Sequence, residues 1–415
     1  MKFHSKLRST CRICGSDDLR PYLDLGPQPP SNSFVLPGEV GDEQRFPLVV
    51  QLCGECGLSQ LSEVVAAADI FSDYAYLSST SKVLVRHYQG MVDDLLGGFA
   101  PAPGGLIVDI GCNDGITLGR YPAGKYKLVG VEPSSSGEFA VKAGFTVEKR
   151  FFSAETAREM RAKYGGASII TATNVFAHVD DIRAFTEGIA ILLANDGIFV
   201  IEFPYLRDMI DHLYFDTIYH EHLSYLALTP LMRLFSDHGL RPFKVRHVDV
   251  GASGPALRLH VCLRQATHAT DDSIAEMAAA EQVWGVSRIE TYSYFADRVA
   301  ALRKEMLRIV RGLNESGKKV GAYGAPAKGN TMLNYLGVTR GDIVAVAENN
   351  TLKIGKLTPG THLPVVSDEE FLRSGISHAL LLTWNYADFF LANSDFVKKG
   401  GKFIIPFPRP AILPV

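Results

Sequence analysis

Short apolar runs bounded by turn residues recur through the middle of this chain, at residues 106–110, 127–131, 168–172 and 197–203. Each is strand-length, and helical stretches lie between them, which predicts a mostly parallel sheet covered by helices. Two later runs, 243–248 and 256–263, flank a Gly/Ser/Pro-containing segment and predict a hairpin that ends the sheet with a reversed strand. Helical periodicity marks residues 82–96 and a long stretch of about 271–314. A second α/β pattern follows, with strands at 319–323, 343–347 and 378–383. Residues before about 75 carry few helical signals and a turn-rich stretch, Asp24-Leu25-Gly26-Pro27-Gln28-Pro29-Pro30. No internal repeat is visible. The pattern divides the chain into a module at 1–75, an α/β domain at 76–266 and a second α/β domain at 267–415.

Composition narrows the function. The chain has 415 residues, 47% hydrophobic, with 42 basic and 45 acidic side chains and a net charge of −3. The basic residues are dispersed and outnumbered, so binding nucleic acid by phosphate neutralisation is not expected. No apolar run approaches a membrane span, and the first residues lack the apolar core of a secretion signal. The expectation is a cytoplasmic protein, with a monomer as the default state.

The first strand of the sheet leads into a small-residue loop, Val108-Asp109-Ile110-Gly111-Cys112-Asn113-Asp114-Gly115-Ile116, and then a helix. Such a turn lets backbone N–H groups approach a ligand closely. A dinucleotide fingerprint needs Gly-x-Gly-x-x-Gly, which the loop does not satisfy. An acidic residue at the strand end followed by Gly-x-Gly-x-Gly spacing suits S-adenosylmethionine: Asp109, Gly111 and Gly115 fit, with Asn113 replacing the middle glycine. Glu132 ends the next strand, where a carboxylate can accept both ribose hydroxyls of adenosine. Ser153, ahead of the 168–172 run, and Asn174, just after it, face the same cleft as further donor contacts or as turn and packing residues. A nicotinamide enzyme, or a loop that merely turns a strand into a helix, are the competing readings.

Six cysteines do not make a disulfide scaffold here, since four fall into two Cys-x-x-Cys pairs, Cys11/Cys14 and Cys53/Cys56. Four thiolates make a closed tetrahedral zinc site, structural rather than catalytic because no coordination position stays open. Downstream of the fifth strand runs Tyr214-Phe215-Asp216-Thr217-Ile218-Tyr219-His220-Glu221-His222-Leu223-Ser224-Tyr225, dense in proton donors and acceptors. His178, just past the 168–172 run, falls at the sheet edge where open α/β sheets bind ligands. Methylation at carbon requires loss of a C–H proton next to a carbonyl, and imidazole with phenol donors could serve it.

Together these pieces resemble bacterial sugar C-methyltransferases, notably the C-3′ methyltransferases of antibiotic deoxysugar pathways of the D-tetronitrose and kijanose type. The resemblance spans essentially the whole chain. It rests on the four cysteines, Asp73-Tyr74-Ala75-Tyr76-Leu77-Ser78-Ser79-Thr80-Ser81, the 108–115 loop, Tyr219-His220-Glu221-His222, Gly324-Ala325-Pro326-Ala327-Lys328-Gly329-Asn330 and Trp384-Asn385-Tyr386. It implies an N-terminal zinc-binding module, a class I (Rossmann-like) methyltransferase domain holding S-adenosylmethionine and a C-terminal α/β domain holding a dTDP-linked 4-keto deoxysugar. His222 would then be the base at C-3′, with Tyr219, Glu221, His178 and Tyr76 lining the same site. Lys328, Asn330, Lys353, Lys356 and Asn385 would hold the sugar nucleotide, its diphosphate at the start of the helix that Lys328 opens. A 3-amino-2,3,6-trideoxy-4-keto-hexose is the favoured acceptor. The alternatives are an O- or N-methyltransferase of a small molecule or nucleotide sugar, and a catalytically silent zinc-module protein that binds nucleotide sugars or partner proteins.

Overall fold

In the structure, a computed structural model, residues 2–414 are described apart from 42, 71–76 and 252–253. The N-terminal region contributes five strands, β1 (Ser5–Leu7), β2 (Leu19–Gln28), β3 (Phe46–Cys53), β4 (Ser59–Leu61) and β5 (Glu63–Val65). β1 and β5 pair as an antiparallel ribbon, while β2, β3 and β4 form a sheet in that order.

The middle of the chain contributes β6 (Leu106–Ile110), β7 (Lys127–Val131), β8 (Thr146–Glu148), β9 (Ala167–Thr173) and β10 (Leu193–Pro204). Then come the short β11 (Ser224–Tyr225) and the hairpin β12 (Leu240–Gly251) and β13 (Gly254–Leu263). Seven of these build one sheet in the order β12-β13-β10-β9-β6-β7-β8, parallel except around β13, which runs antiparallel to both its neighbours. Its central strands β6, β9 and β10 are almost wholly buried because helices cover both faces. β11 does not join this sheet. It pairs with β4, Ser224 opposite Gln60 and Tyr225 opposite Ser59, and so extends the N-terminal sheet.

The long helical stretch divides at Gly285, whose left-handed backbone ends the helix Asp272–Trp284 before Ile289–Glu315 begins. The C-terminal sheet then follows: β14 (Val320–Tyr323), β15 (Val346–Ala347), β16 (Val365–Val366), β17 (His378–Leu381), β18 (Lys402–Ile405) and β19 (Ala411–Leu413). Its order is β16-β15-β14-β17-β18-β19, with only β19 antiparallel.

Set beside the larger sheet, this order repeats β8-β7-β6-β9-β10-β13 strand for strand, including the reversed last member. The chain thus carries an internal structural repeat that its sequence does not display. The strands that correspond are three to twelve residues long against two to four, so topology is shared and strand length is not. Among the described residues no helix is long and apolar enough to cross a membrane.

Candidate active site

The donor loop begins where β6 ends. Gly111 has φ +69°, its amide donates to the Val131 carbonyl at 2.8 Å, and an added Cβ would stand 2.3 Å from a methyl of Val175. Only glycine meets both demands. Asn113 also sits in the left-handed region, at φ +50°, which asparagine tolerates better than other side chains. It therefore does the conformational work of the missing middle glycine and adds contacts of its own. Its Oδ1 accepts from the Ser78 amide at 3.0 Å, and its Nδ2 donates to Ser136 Oγ at 3.2 Å. Gly115 completes the turn at φ +84°. The helix expected next is a short 3-10 turn, Leu118–Arg120.

Glu132 faces this loop. One carboxylate oxygen accepts from the Asn113 amide at 3.0 Å, and the other accepts from the amide (2.9 Å) and hydroxyl (2.6 Å) of Ser134. Asp109 is buried and accepts from Thr171 Oγ1 at 2.6 Å; burial pushes its carboxyl up to about 7. Asn174 follows β9 at φ +56° and donates to the Tyr88 hydroxyl at 3.3 Å. Ser153 caps the helix Ala154–Tyr164, accepting from the Thr156 amide at 3.2 Å, so its side chain already has a structural partner.

The four cysteines of the N-terminal module converge as their spacing predicts. Their sulfurs all lie within 4.8 Å of one another, with Cys11 to Cys56 at 3.4 Å and Cys14 to Cys53 at 3.5 Å. Backbone amides of Ile13 and Cys14 point at the Cys11 sulfur, and those of Glu55 and Cys56 at the Cys53 sulfur. Four sulfurs at this separation fit a tetrahedral Zn²⁺, and the amides would stabilise their thiolate charge. Between the first two ligands, Arg12 is fully buried. It donates to the Leu61 carbonyl at 2.9 Å and lies 3.4 Å from Asp180, two residues past His178. Lys6 and Arg8 reach the same carboxylate at 2.8 and 3.4 Å, so three basic side chains clamp the module to the methyltransferase sheet.

The acid–base cluster is assembled around His222. Its Nδ1 is 2.7 Å from the Thr217 carbonyl, which can only accept, so Nδ1 carries the proton and Nε2 presents a lone pair. The Tyr219 hydroxyl lies 2.9 Å from that Nε2. The His178 ring packs edge-on to His222, centroids 4.8 Å apart, within hydrogen-bonding reach of the Glu221 and Asn174 carbonyls. Burial holds His222 down to about 3, reinforced by the neighbouring His178, and burial holds His178 down to about 4. Both imidazoles are thus neutral at physiological pH. Glu221 is pushed up to about 7 by burial, opposed by the Asn32 amide, which donates to it at 2.7 Å. His220 points the other way, toward the Pro47 carbonyl, and belongs to the contact with the N-terminal sheet.

The C-terminal domain meets this cluster. Lys328, buried at the first turn of the helix Ala327–Leu336, donates to Asn385 Oδ1 at 2.6 Å and lies 4.0 Å over the Trp384 ring. Trp384 in turn donates to Asp216 at 2.7 Å, one residue before the carbonyl that fixes His222. Burial lowers Lys328 and raises Asp216, each opposed by the other's charge. Lys353 donates to the Ala325 carbonyl at 2.9 Å and interacts with both Glu348 and Glu221. Asn330 is buried and donates to the Ser31 carbonyl at 2.7 Å, tying the helix to the N-terminal module. Lys356 is half-buried on the loop beside Lys353. Tyr76 lies outside the described residues. Further along, Ser78 contacts the donor loop, while Ser81 is in reach of the Tyr386 hydroxyl, so residues 78–81 touch both clefts.

Sequence reasoning missed Asn32, Asp216 and Arg12. The first comes from the module's turn-rich loop, and its role depends on a contact spanning most of two domains. The densely polar 214–225 segment held the signal for Asp216, and the Cys-x-x-Cys loop held that for Arg12.

The sheet and the donor cleft define a class I S-adenosylmethionine-dependent methyltransferase. Three family descriptions match in succession: a putative zinc-binding domain over residues 11–71, a methyltransferase domain over 84–245 and a C-methyltransferase C-terminal domain over 251–408. The chain is 34% identical over 413 residues to the C-methyltransferase NovU of Streptomyces niveus, covering 97% of this chain and 96% of that protein. It belongs to this C-methyltransferase family, the one its motifs resemble. Among solved structures, a putative methyltransferase complexed with the Trm112 activator of Haloferax volcanii matches at 14% identity. That match covers 45% of this chain and 94% of that one, with a TM-score of 0.35. An S-adenosylmethionine-dependent methyltransferase of Clostridium acetobutylicum matches at 10% identity over 43% of this chain and 92% of that one, also with a TM-score of 0.35.

Proposed function

We propose that this C-methyltransferase methylates C-3′ of a dTDP-linked 4-keto deoxysugar in antibiotic deoxysugar biosynthesis, with a 3-amino-2,3,6-trideoxy-4-keto-hexose as preferred acceptor. The observation that carries the reading is the neutral, tautomerically fixed His222, whose basic nitrogen faces the Tyr219 hydroxyl. A carbonyl at C-4′ acidifies the C-3′ hydrogen. His222 Nε2 takes that proton, and the C–H electron pair becomes an enolate. The Tyr219 hydroxyl, released from Nε2, donates to the enolate oxygen. Glu221 accepts from the substituent at C-3′, and His178 walls the pocket beside the donor cleft. S-adenosylmethionine supplies an electrophilic methyl group on a sulfonium.

On this reading Glu132 and Asn113 hold the adenosine, with Asp109, Gly111, Gly115 and Asn174 shaping the cleft and Ser153 at its rim. Lys328, Lys353, Lys356, Asn330 and Asn385 belong to the sugar-nucleotide side, and the chain divides into three domains at 75 and 266. The deciding experiment uses His222→Ala, which should slow methyl transfer about 10²- to 10⁴-fold and abolish deuterium incorporation at C-3′ from labelled water. S-adenosylhomocysteine binding should stay intact. Undiminished exchange in that variant removes His222 from the role of base. Methylation of a 4-hydroxy analogue at the wild-type rate would instead favour oxygen or nitrogen as the target.

A further inference from the structure

The repeat between the two sheets extends to a polar device. In the donor sheet Gly111 donates to the carbonyl at the end of the adjacent strand, Val131, and the carboxylate of the next residue, Glu132, receives a loop amide on one oxygen and two donors on the other. In the C-terminal sheet Gly324, φ +81°, donates to the carbonyl of Ala347 at 2.9 Å. The next residue is Glu348. One of its oxygens accepts from the Ala325 amide at 2.9 Å, the other from the Asn349 and Asn350 amides at 2.8 and 3.0 Å.

The steric reason for each glycine is also shared. A Cβ on Gly324 would stand 2.6 Å from Thr383, just after β17, as one on Gly111 would meet Val175 just after β9. Strand order, glycine, packing partner and carboxylate all correspond. Each carboxylate keeps acceptor capacity beyond its three donors, since two ionised oxygens offer about four acceptor positions.

We infer that Glu348 binds the pentose hydroxyl of the acceptor's nucleotide, as the C-terminal counterpart of the carboxylate that faces the donor's adenosine. This rests on the nucleotide-sugar reading above and assigns within it a residue that the sequence motifs did not single out. It also changes where the diphosphate goes. The Glu348 carboxylate takes the Ala325 amide just ahead of the helix Ala327–Leu336, and its charge disfavours a diphosphate at that helix start. A pentose on Glu348 directs the diphosphate and sugar along Lys353, whose charge interacts with both Glu348 and Glu221 of the reaction cluster.

The test is calorimetric titration of the full-length, zinc-loaded protein with thymidine diphosphate, 3′-deoxythymidine diphosphate and S-adenosylhomocysteine. Wild type should bind thymidine diphosphate about 10- to 100-fold more tightly than its 3′-deoxy analogue. Glu348→Ala should lose that preference and retain wild-type affinity for S-adenosylhomocysteine, which also reports that it is folded. Glu348→Gln, which can still accept, should recover part of it. A Glu348→Ala protein that still discriminates between the two nucleotides overturns the inference. A wild type that binds neither nucleotide overturns the nucleotide-sugar reading itself, so the two failures are distinguishable.

Discussion

The donor sheet and the C-terminal sheet are the same scaffold fitted with different side chains. Both end a central strand in a glycine with positive φ, and both set a carboxylate at the end of the neighbouring strand. Past the glycine they diverge. The donor loop continues through a second left-handed residue, Asn113, and widens before its 3-10 turn, whereas Pro326 starts a helix at once. Asp109 stands two residues before the donor glycine, where the second sheet has Ala322. The donor cleft gathers carboxylates, which suit a cationic sulfonium; the second cleft sets Lys353 beside its carboxylate and Lys328 in the first turn of its helix, which suits an anionic ligand. Backbone topology therefore fixes where a nucleoside-sized ligand can lie, and a few side chains fix its charge.

Alanine at either glycine is the strongest way to break that parallel. Gly111→Ala and Gly324→Ala each force a Cβ into a neighbouring side chain and strain a left-handed backbone, at roughly 1–3 kcal/mol before the clash is counted. Each should raise KM for its own ligand by about 10-fold or more and leave the other's within about twofold. Equal effects on both ligands would mean that the clefts are not independent.

Zinc removal should act on the two clefts together, because the module reaches Glu221 through Asn32 and the second cleft through Ser31. Chelation to below ~1 zinc per chain is expected to lower Tm and cut activity several-fold. Metal content and a melting curve on the same sample check this.

The smallest effect concerns pH. Glu221, raised to about 7, should give kcat a limb near neutrality, with the rate rising as the carboxylate ionises. His222 should contribute none in that range, being already neutral above about 3. Asn32→Ala removes a donor that favours the ionised form, so the limb should move to higher pH, and Glu221→Gln should abolish it.

Much of the donor half was legible in the sequence. Most of its strands are long enough to show as apolar runs, its loop keeps two of the three glycines of the expected spacing, and two Cys-x-x-Cys pairs point to one metal. The Tyr219–His222 interval lies within a single turn of chain, so local spacing alone brings the hydroxyl to the imidazole. The second sheet was harder to read. β15 and β16 have two residues each, too few to show a period, and its resemblance to the first sheet lies in hydrogen-bond pattern rather than side chains. Asn32 and Asp216 stayed hidden because burial and a distant partner, not sequence neighbours, give them their roles. Asn113 looked like a departure from the glycine pattern, and its φ explains why it is tolerated.

β11 has a consequence for how the chain is made. It begins two residues after His222 and completes the N-terminal sheet beside β4, although most of the methyltransferase sheet separates the two in the sequence. During synthesis the module's β4 edge must therefore stay open while the ribosome delivers more than a hundred further residues. Metal capture by the two cysteine pairs can hold the early strands together through that interval. The segment that carries His222, arriving late, is then drawn into register by a template that was waiting for it.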